Sequence, residues 1–240
     1  MFFGQRDKSI LKAEEQGVKA GLDEAYAKGN WAAARQVLRS NNDELPFSTN
    51  RAVFPIVLIE ADDPKAENAI SDHSAYRPQE GVALKALSAI RKKRWEEAVD
   101  FSVEFIETLR KNPWVSDIVM ARLFSQLPAA GKNVQGGPEK LIKALLESPF
   151  AVYAFDGERY QAAFAIAKAD SDTDHCAALK NQKFYFSAGN AEYLSYLRKC
   201  WKDDKSVRAG IEEELQRIKQ FQSPGFGQVM EYMNWEATQR

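Results

Sequence analysis

Residues 79 to 112 constrain the fold most tightly. Val82, Ala83, Ala86, Leu87 and Ile90 recur at spacings of three and four, and after the basic stretch Lys92-Lys93-Arg94 the pattern resumes with Trp95, Ala98, Val99, Phe105, Ile106 and Leu109. Such spacing places each set on one face of a helix, so the segment predicts two antiparallel helices joined by a tight turn. Neither helix can bury its stripe alone, which requires further helices around the pair. Leu84 and Phe101 lie off the two stripes and are expected to pack on neighbouring hairpins rather than to serve a binding role.

The turn and its following aromatic recur along the chain. Trp31 with Ala34, Trp95 with Ala98, and Tyr160 with Ala163 each pair an aromatic with alanine three residues on, at steps of 64 and 65 residues. The stretches before them, Lys28-Gly29-Asn30, Lys92-Lys93-Arg94 and Asp156-Gly157-Glu158-Arg159, are polar or glycine-bearing, as helix stops are. Hairpin turns are therefore expected at residues 28 to 30, 92 to 94 and 156 to 159, with a weaker fourth copy at Gly189-Asn190-Ala191-Glu192. The aromatic would plug the mouth of each hairpin, so Trp95 is expected to be largely buried.

On these residues the chain resembles tetratricopeptide repeats, helix-turn-helix units of about 34 residues. The best alignment runs from Gln79 to Asn112, with Trp95 at the turn aromatic and Ala86 and Ala98 at the two small positions. Val82 stands where the family often has tryptophan, Lys85 where it prefers leucine, and the closing proline comes late, at Pro113. The resemblance implies an all-α fold, an α-solenoid of antiparallel helix pairs over residues 1 to 202, with residues 203 to 240 as C-terminal capping helices of one domain. It also implies a concave groove formed by the first helix of each pair, which such arrays use to bind proteins. Ala83 and Leu87 occupy the positions where some tetratricopeptide grooves clamp a terminal carboxylate, so that mode of peptide recognition is not expected.

Other helix signals agree. The first helices are expected from Asp7 to Lys28 and from Trp31 to Asn41; Ser48, Thr49 or Asn50 suits a cap before a helix carrying Pro55 in its first turns. Proline at the first helical position is expected after Asp63, Asn112, Gly137 and Ser148. No stretch alternates in the manner of a strand.

Charge and cysteine usage narrow the function classes. With 33 basic and 34 acidic residues among 240, the chain has no global field and lacks the basic excess of a nucleic-acid binder. The longest apolar run, Val53 to Ile59, is too short to cross a bilayer and contains Pro55, while the N-terminal stretch becomes charged at Arg6 without forming a secretion signal. Cys176 and Cys200 lack metal-ligand spacing and are expected as buried thiols in a reducing, cytoplasmic setting.

The chemical candidates are few. Asp62, Asp63, Asp72 and His73 gather within twelve residues and would supply the acid and base of an all-α hydrolase, the alternative to a binding protein. Ser171 to Cys176 carries oxygen, nitrogen and sulfur donors, but the spacing favours a helix cap over a metal site. Gly131 to Pro138 lacks the Walker spacing and reads as a connection between helices. No cofactor or metal is implied. The expected function is a non-enzymatic protein-protein interaction module, an adaptor, chaperone-like holder or neutraliser of a toxin or effector. Its partner would be another protein with an acidic surface, contacted through Arg91 and Arg94 at the central turn, with no nucleic acid or membrane involved.

Overall fold

The computed structural model describes residues 8–46, 49–112, 114–151, 153–170, 175–179 and 200. Regular structure among them is entirely helical: α1 (Lys8–Ala27), α2 (Trp31–Ser40), α3 (Val53–Glu60), α4 (Ala66–Tyr76), α5 (Pro78–Arg91), α6 (Trp95–Lys111), α7 (Asp117–Phe124), α8 (Leu127–Lys132), α9 (Gly137–Leu146), α10 (Tyr153–Ala169) and α11 (Cys176–Leu179). None of the described helices is long and apolar enough to cross a membrane. The chain divides into two compact units, residues 1–105 with 114–123, and residues 106–113 with 124–240.

In the first unit α1 packs on α2, and α3 packs on α2, α4 and α5. α5 is covered on nearly every side: Gly81, Ala83, Leu84, Ala86, Leu87, Ser88, Ala89 and Ile90 are all buried. Small residues allow this, because alanine and glycine let neighbouring helices approach closely. Gly81 sits against Ser74 of α4, whose hydroxyl oxygen would lie only 2.1 Å from an added Cβ. Leu84 is fully buried and Phe101 half-buried, so the off-stripe residues do meet neighbours. A second cluster joins Leu22 and Ala25 of α1 to Ala34 and Leu38 of α2 and to Val53 and Val57 of α3.

The expected turns at 28 to 30 and 92 to 94 are present and share one geometry. Gly29 (φ 63°) and Lys93 (φ 58°) are left-handed, and the next amide reaches back five residues, Asn30 N–H to Ala25 O at 2.9 Å and Arg94 N–H to Ala89 O at 2.8 Å. This is the bonding of a Schellman stop, which reverses the chain before Trp31 and Trp95 open the next helix. Ala34 and Ala98 are both completely buried. The tryptophans themselves are partly buried. Trp31 meets Tyr26 edge to face at 5.1 Å and carries the Arg122 guanidinium 4.7 Å above its ring.

The third turn is absent. Residues 156 to 159 lie inside α10, which runs without a break from Tyr153 to Ala169. Glycine within a helix costs about 1 kcal/mol relative to alanine, and packing of α10 against α8 and α9 offsets it. Arg159 is buried, donates to Leu145 O at 3.3 Å and lies 4.1 Å over the Tyr160 ring, contacts that a turn at this position would break. Tyr160 and Ala163 are therefore core residues of a long helix, not the start of one.

The other proline signals fare unevenly. Pro55 does fall in the first turn of α3 and Pro138 in that of α9, but α4, α7 and α10 begin two to four residues after the expected starts. Asp63 explains the first delay, since its carboxylate caps the Lys65 amide at 2.9 Å and a short turn precedes the helix. In the second unit α8, α9 and α10 pack on one another, and Ala151 N–H bonds to Leu109 O at 3.0 Å, tying the end of α6 to the segment before α10. Gly131 to Pro138 is a connection between helices, as expected: Gly136 is left-handed (φ 69°), and a Cβ on Gly137 would stand 2.5 Å from the Gly131 carbonyl oxygen.

The cysteines are not free thiols. Cys176 and Cys200 form a disulfide with their Cα atoms 5.0 Å apart, so a separation of 24 residues in sequence closes to bonding distance in the fold. The inference from sparse cysteines to a reducing compartment loses its footing, because disulfides persist where conditions are oxidising. The weaker fourth copy at Gly189 to Glu192 and the expected capping helices at 203 to 240 lie outside the described residues.

Candidate functional site

In the first unit, ion pairs gather where α2 and α3 end. Both helices stop at a left-handed residue, and after α2 Asp43 (φ 63°) is left-handed as well. Asn42 (φ 55°) and Asp62 (φ 55°) are left-handed, and the following aspartate amide bonds back to a leucine carbonyl, Asp43 N–H to Leu38 O at 2.8 Å and Asp63 N–H to Leu58 O at 2.9 Å. Asparagine and aspartate tolerate this conformation better than other residues with side chains. Each stop delivers one carboxylate just beyond a helix C-terminus, where the helix dipole disfavours negative charge. Cations must therefore answer both.

Arg35 answers both from α2. Its Nε donates to Asp63 Oδ2 at 2.6 Å, and its two terminal nitrogens donate to the Asp43 carboxylate, the closer one as an ion pair. The side chain is 5% exposed, that of Asp63 3%. One turn further on, Arg39 donates to Asp63 Oδ2 at 3.0 Å, and Lys65 Nζ lies 2.6 Å from Asp43 Oδ2. Both outer cations remain more than half exposed, at 64% and 62%. Hydrogen bonds from Arg35, then Lys65, bring the Asp43 carboxyl down to about 2. Burial opposes ionisation of Asp63, but Arg35, the Lys65 amide and Arg39 outweigh it and bring that carboxyl to about 2 as well. Both are acceptors only at neutral pH, with no proton to give and little tendency to take one, which suits ion pairing rather than acid-base catalysis.

Around these groups opens a cleft of about 510 Å³ lined by Arg35, Arg39, Asn42, Asp43, Asp63, Pro64 and Lys65. Three cations face two carboxylates, and the exposed members are the cations. A rim of this kind offers guanidinium and ammonium donors to an incoming anion while the buried ion pairs hold the walls in place.

The residues read from the sequence are distributed differently. Asp63 belongs to this cleft, Asp62 is the exposed left-handed residue before it, and Asp72 is exposed on α4. His73 faces Glu80, with Nε2 2.6 Å from Oε2, and the other Glu80 oxygen accepts the Ser116 amide at 2.9 Å. Burial acts to raise the Glu80 carboxyl, but His73 and the Ser116 amide hold it below the ordinary value. No hydrogen bond joins any of Asp62, Asp63, Asp72 and His73 to another of the four. Arg91, the last residue of α5, and Arg94, in the turn that follows, are exposed, and Arg94 donates to Glu97 Oε2 at 2.9 Å. With α5 buried nearly all round, only Pro78, Gln79, Val82, Lys85 and Arg91 retain appreciable exposure to line a groove along it.

Sequence reasoning missed Arg35, Arg39, Asp43 and Lys65. A signal was available: Leu38 with Asn42-Asp43 and Leu58 with Asp62-Asp63 repeat the same spacing of hydrophobic anchor, left-handed residue and aspartate. Among the described residues, side chains able to hold a metal ion converge at Glu139, Asp170 and His175 in the second unit. No protein-family model matches the chain, and no curated protein or solved structure is similar to it at a significant level.

Proposed function

We propose that the chain is a non-enzymatic protein-binding module of tetratricopeptide-like character, an adaptor, chaperone-like holder or neutraliser of an effector. The reading assigns the cleft at the ends of α2 and α3 to an acidic segment of the partner. The observation that carries it is the cleft's polarity: both carboxylates are committed to ion pairs, while Arg39 and Lys65 keep most of their surface in solvent. Arg91 and Arg94, exposed at the central turn, would extend the basic contact to the same class of partner. Exposed cations raise association rates with acidic surfaces more than they deepen affinity. A hydrolase built on Asp62, Asp63, Asp72 and His73 has weaker support, because Asp63 and His73 are engaged with Arg35, Arg39 and Glu80.

The test begins with capture of the partner from the native host and calorimetry on the purified pair. Arg39→Glu with Lys65→Glu should weaken binding by about tenfold or more, chiefly by slowing association, and the wild-type affinity should fall as salt is added. A folded double variant that binds with unchanged affinity removes the cleft from the interface, and Arg91→Glu with Arg94→Glu then decides whether the central turn carries it. As for compartment, the Cys176–Cys200 disulfide turns our reading from the cytoplasm towards an oxidising environment.

A further inference from the structure

Within the second unit, three packed elements bring different donors to one point. Glu139 stands in the first turn of α9, Asp170 directly follows α10, and His175 directly precedes α11, while α9 packs against both α10 and α11. Their ligand atoms all lie within 4.8 Å of one another. The His175 side chain is 3% exposed and that of Asp170 16%, with Nε2 2.7 Å from Oδ2.

A bland cause exists for each part taken singly. A glutamate in the first turn of a helix is favoured by the helix dipole, and a buried imidazole needs a hydrogen-bond partner. Neither accounts for the glutamate carboxylate closing on the histidine-aspartate pair from a different helix. We propose that Glu139, Asp170 and His175 form a binding site for one divalent transition-metal ion of the zinc type.

The chemistry fits that class of ion. Two carboxylates and one imidazole present two formal negative charges to a dication, and the nitrogen donor favours zinc or cobalt over calcium and magnesium, which take oxygen ligands. Tetrahedral coordination with bonds of about 2.1 Å sets ligand atoms about 3.4 Å apart. The pair at 2.7 Å must therefore open slightly, and the widest separation, no more than 4.8 Å, must close by at most little more than an ångström. Glu139 is exposed and its long side chain can make that movement without disturbing the core. Three protein ligands leave a fourth position to water or another donor. An ion bound here would fasten α11, whose Cys176 carries the disulfide, to the start of α9.

The probes are Zn²⁺ and Co²⁺ added alone to the full-length, disulfide-intact chain after treatment with a chelator. We expect one equivalent of Zn²⁺ to bind saturably and raise the melting temperature, Co²⁺ to give the visible absorption of a four- or five-coordinate site, and Ca²⁺ and Mg²⁺ to compete poorly. Glu139→Gln, at an exposed position that leaves the fold undisturbed, should weaken Zn²⁺ binding by about tenfold or more, and His175→Gln should abolish the Co²⁺ spectrum. His73→Gln should leave both unchanged. Absence of saturable Zn²⁺ binding overturns the proposal, as does binding that survives unaltered in Glu139→Gln or Ca²⁺ binding as tight as that of Zn²⁺.

Discussion

Arg35→Ala tests whether the charged cleft is held together as described. The substitution removes the donor shared by two carboxylates, one of them 3% exposed. Relative to an ordinary aspartate at 3.8, each carboxyl ionises near 2, and a shift of that size corresponds to about 2 kcal/mol of stabilisation for each. The two contributions are not fully additive, and Arg35 does not supply all of either. Asp63 keeps Arg39 and the Lys65 amide, and Asp43 keeps Lys65. About 3 kcal/mol is therefore expected for Arg35→Ala at pH 7, the lower part of the range for orphaning a buried charge. The sign with pH follows from the direction of the shifts. Both folded values lie below the unfolded one, so the stabilisation is complete above about pH 4 to 5 and is lost as the pH falls towards 2. The gap between wild type and variant should accordingly shrink to under about 1 kcal/mol near pH 2. Urea unfolding followed by circular dichroism gives the magnitude, and hydrogen exchange at α2 amides assigns the loss to the first unit. A cost below about 1 kcal/mol at pH 7, or one that does not change with pH, would show that the guanidinium does not hold these carboxylates.

Four further outcomes follow from packing and backbone geometry. Gly137→Ala should destabilise by about 1 to 3 kcal/mol in urea unfolding, because its Cβ would stand 2.5 Å from a backbone oxygen; a neutral effect would place Gly131 elsewhere. Lys93→Gly should stabilise by about 1 kcal/mol through relief of a left-handed backbone at φ 58°, and a loss would contradict that conformation. Trp31→Ala should cost more than Trp95→Ala, about 3 against about 2 kcal/mol, since Trp31 has both Tyr26 and Arg122 on its ring; the opposite order would refute those contacts. Reduction and alkylation of the Cys176–Cys200 bond should lower stability by about 3.5 kcal/mol from loop closure over its 24-residue separation, and an unchanged urea midpoint would show that the bond does not constrain the unfolded chain.

The helices were legible where period and stop signals agree. The stripes around Ala86 and Ala98 mark α5 and α6, and a turn at Gly29-Asn30 leaves little alternative for α1 and α2. The third copy misled because Asp156-Gly157-Glu158 carries turn-forming residues without a loss of helical contacts; Arg159 and Tyr160 hold the helix through it. Cysteine pairing was illegible for a different reason. It depends on where the fold carries residues 176 and 200, which spacing alone does not encode. The acid-base cluster was assembled from nearness in sequence, whereas Asp63 finds its partner 28 residues away.

The charged cleft lies between these cases, since its geometry was written in the sequence in a form that periodicity does not read. Four helices, α1, α2, α3 and α5, end with a left-handed residue and an amide reaching back five positions. The left-handed residue sets the direction of the chain; the residue after it sets what the stop can do. Asn30 turns its side chain on the next helix, accepting from the Ala33 amide at 3.1 Å, and Arg94 pairs with Glu97 on α6. Asp63 also caps the Lys65 amide ahead of α4, but it and Asp43 both present carboxylates at helix ends that repel them, so a cation is required nearby, and Arg35 stands within reach of both. Where the residue after the left-handed one is neutral or basic, the stop serves the next helix. Where it is acidic at two packed helix ends, the shared cation becomes buried and further cations gather at the rim, which produces a polarised cleft from a turn motif that elsewhere only reverses the chain.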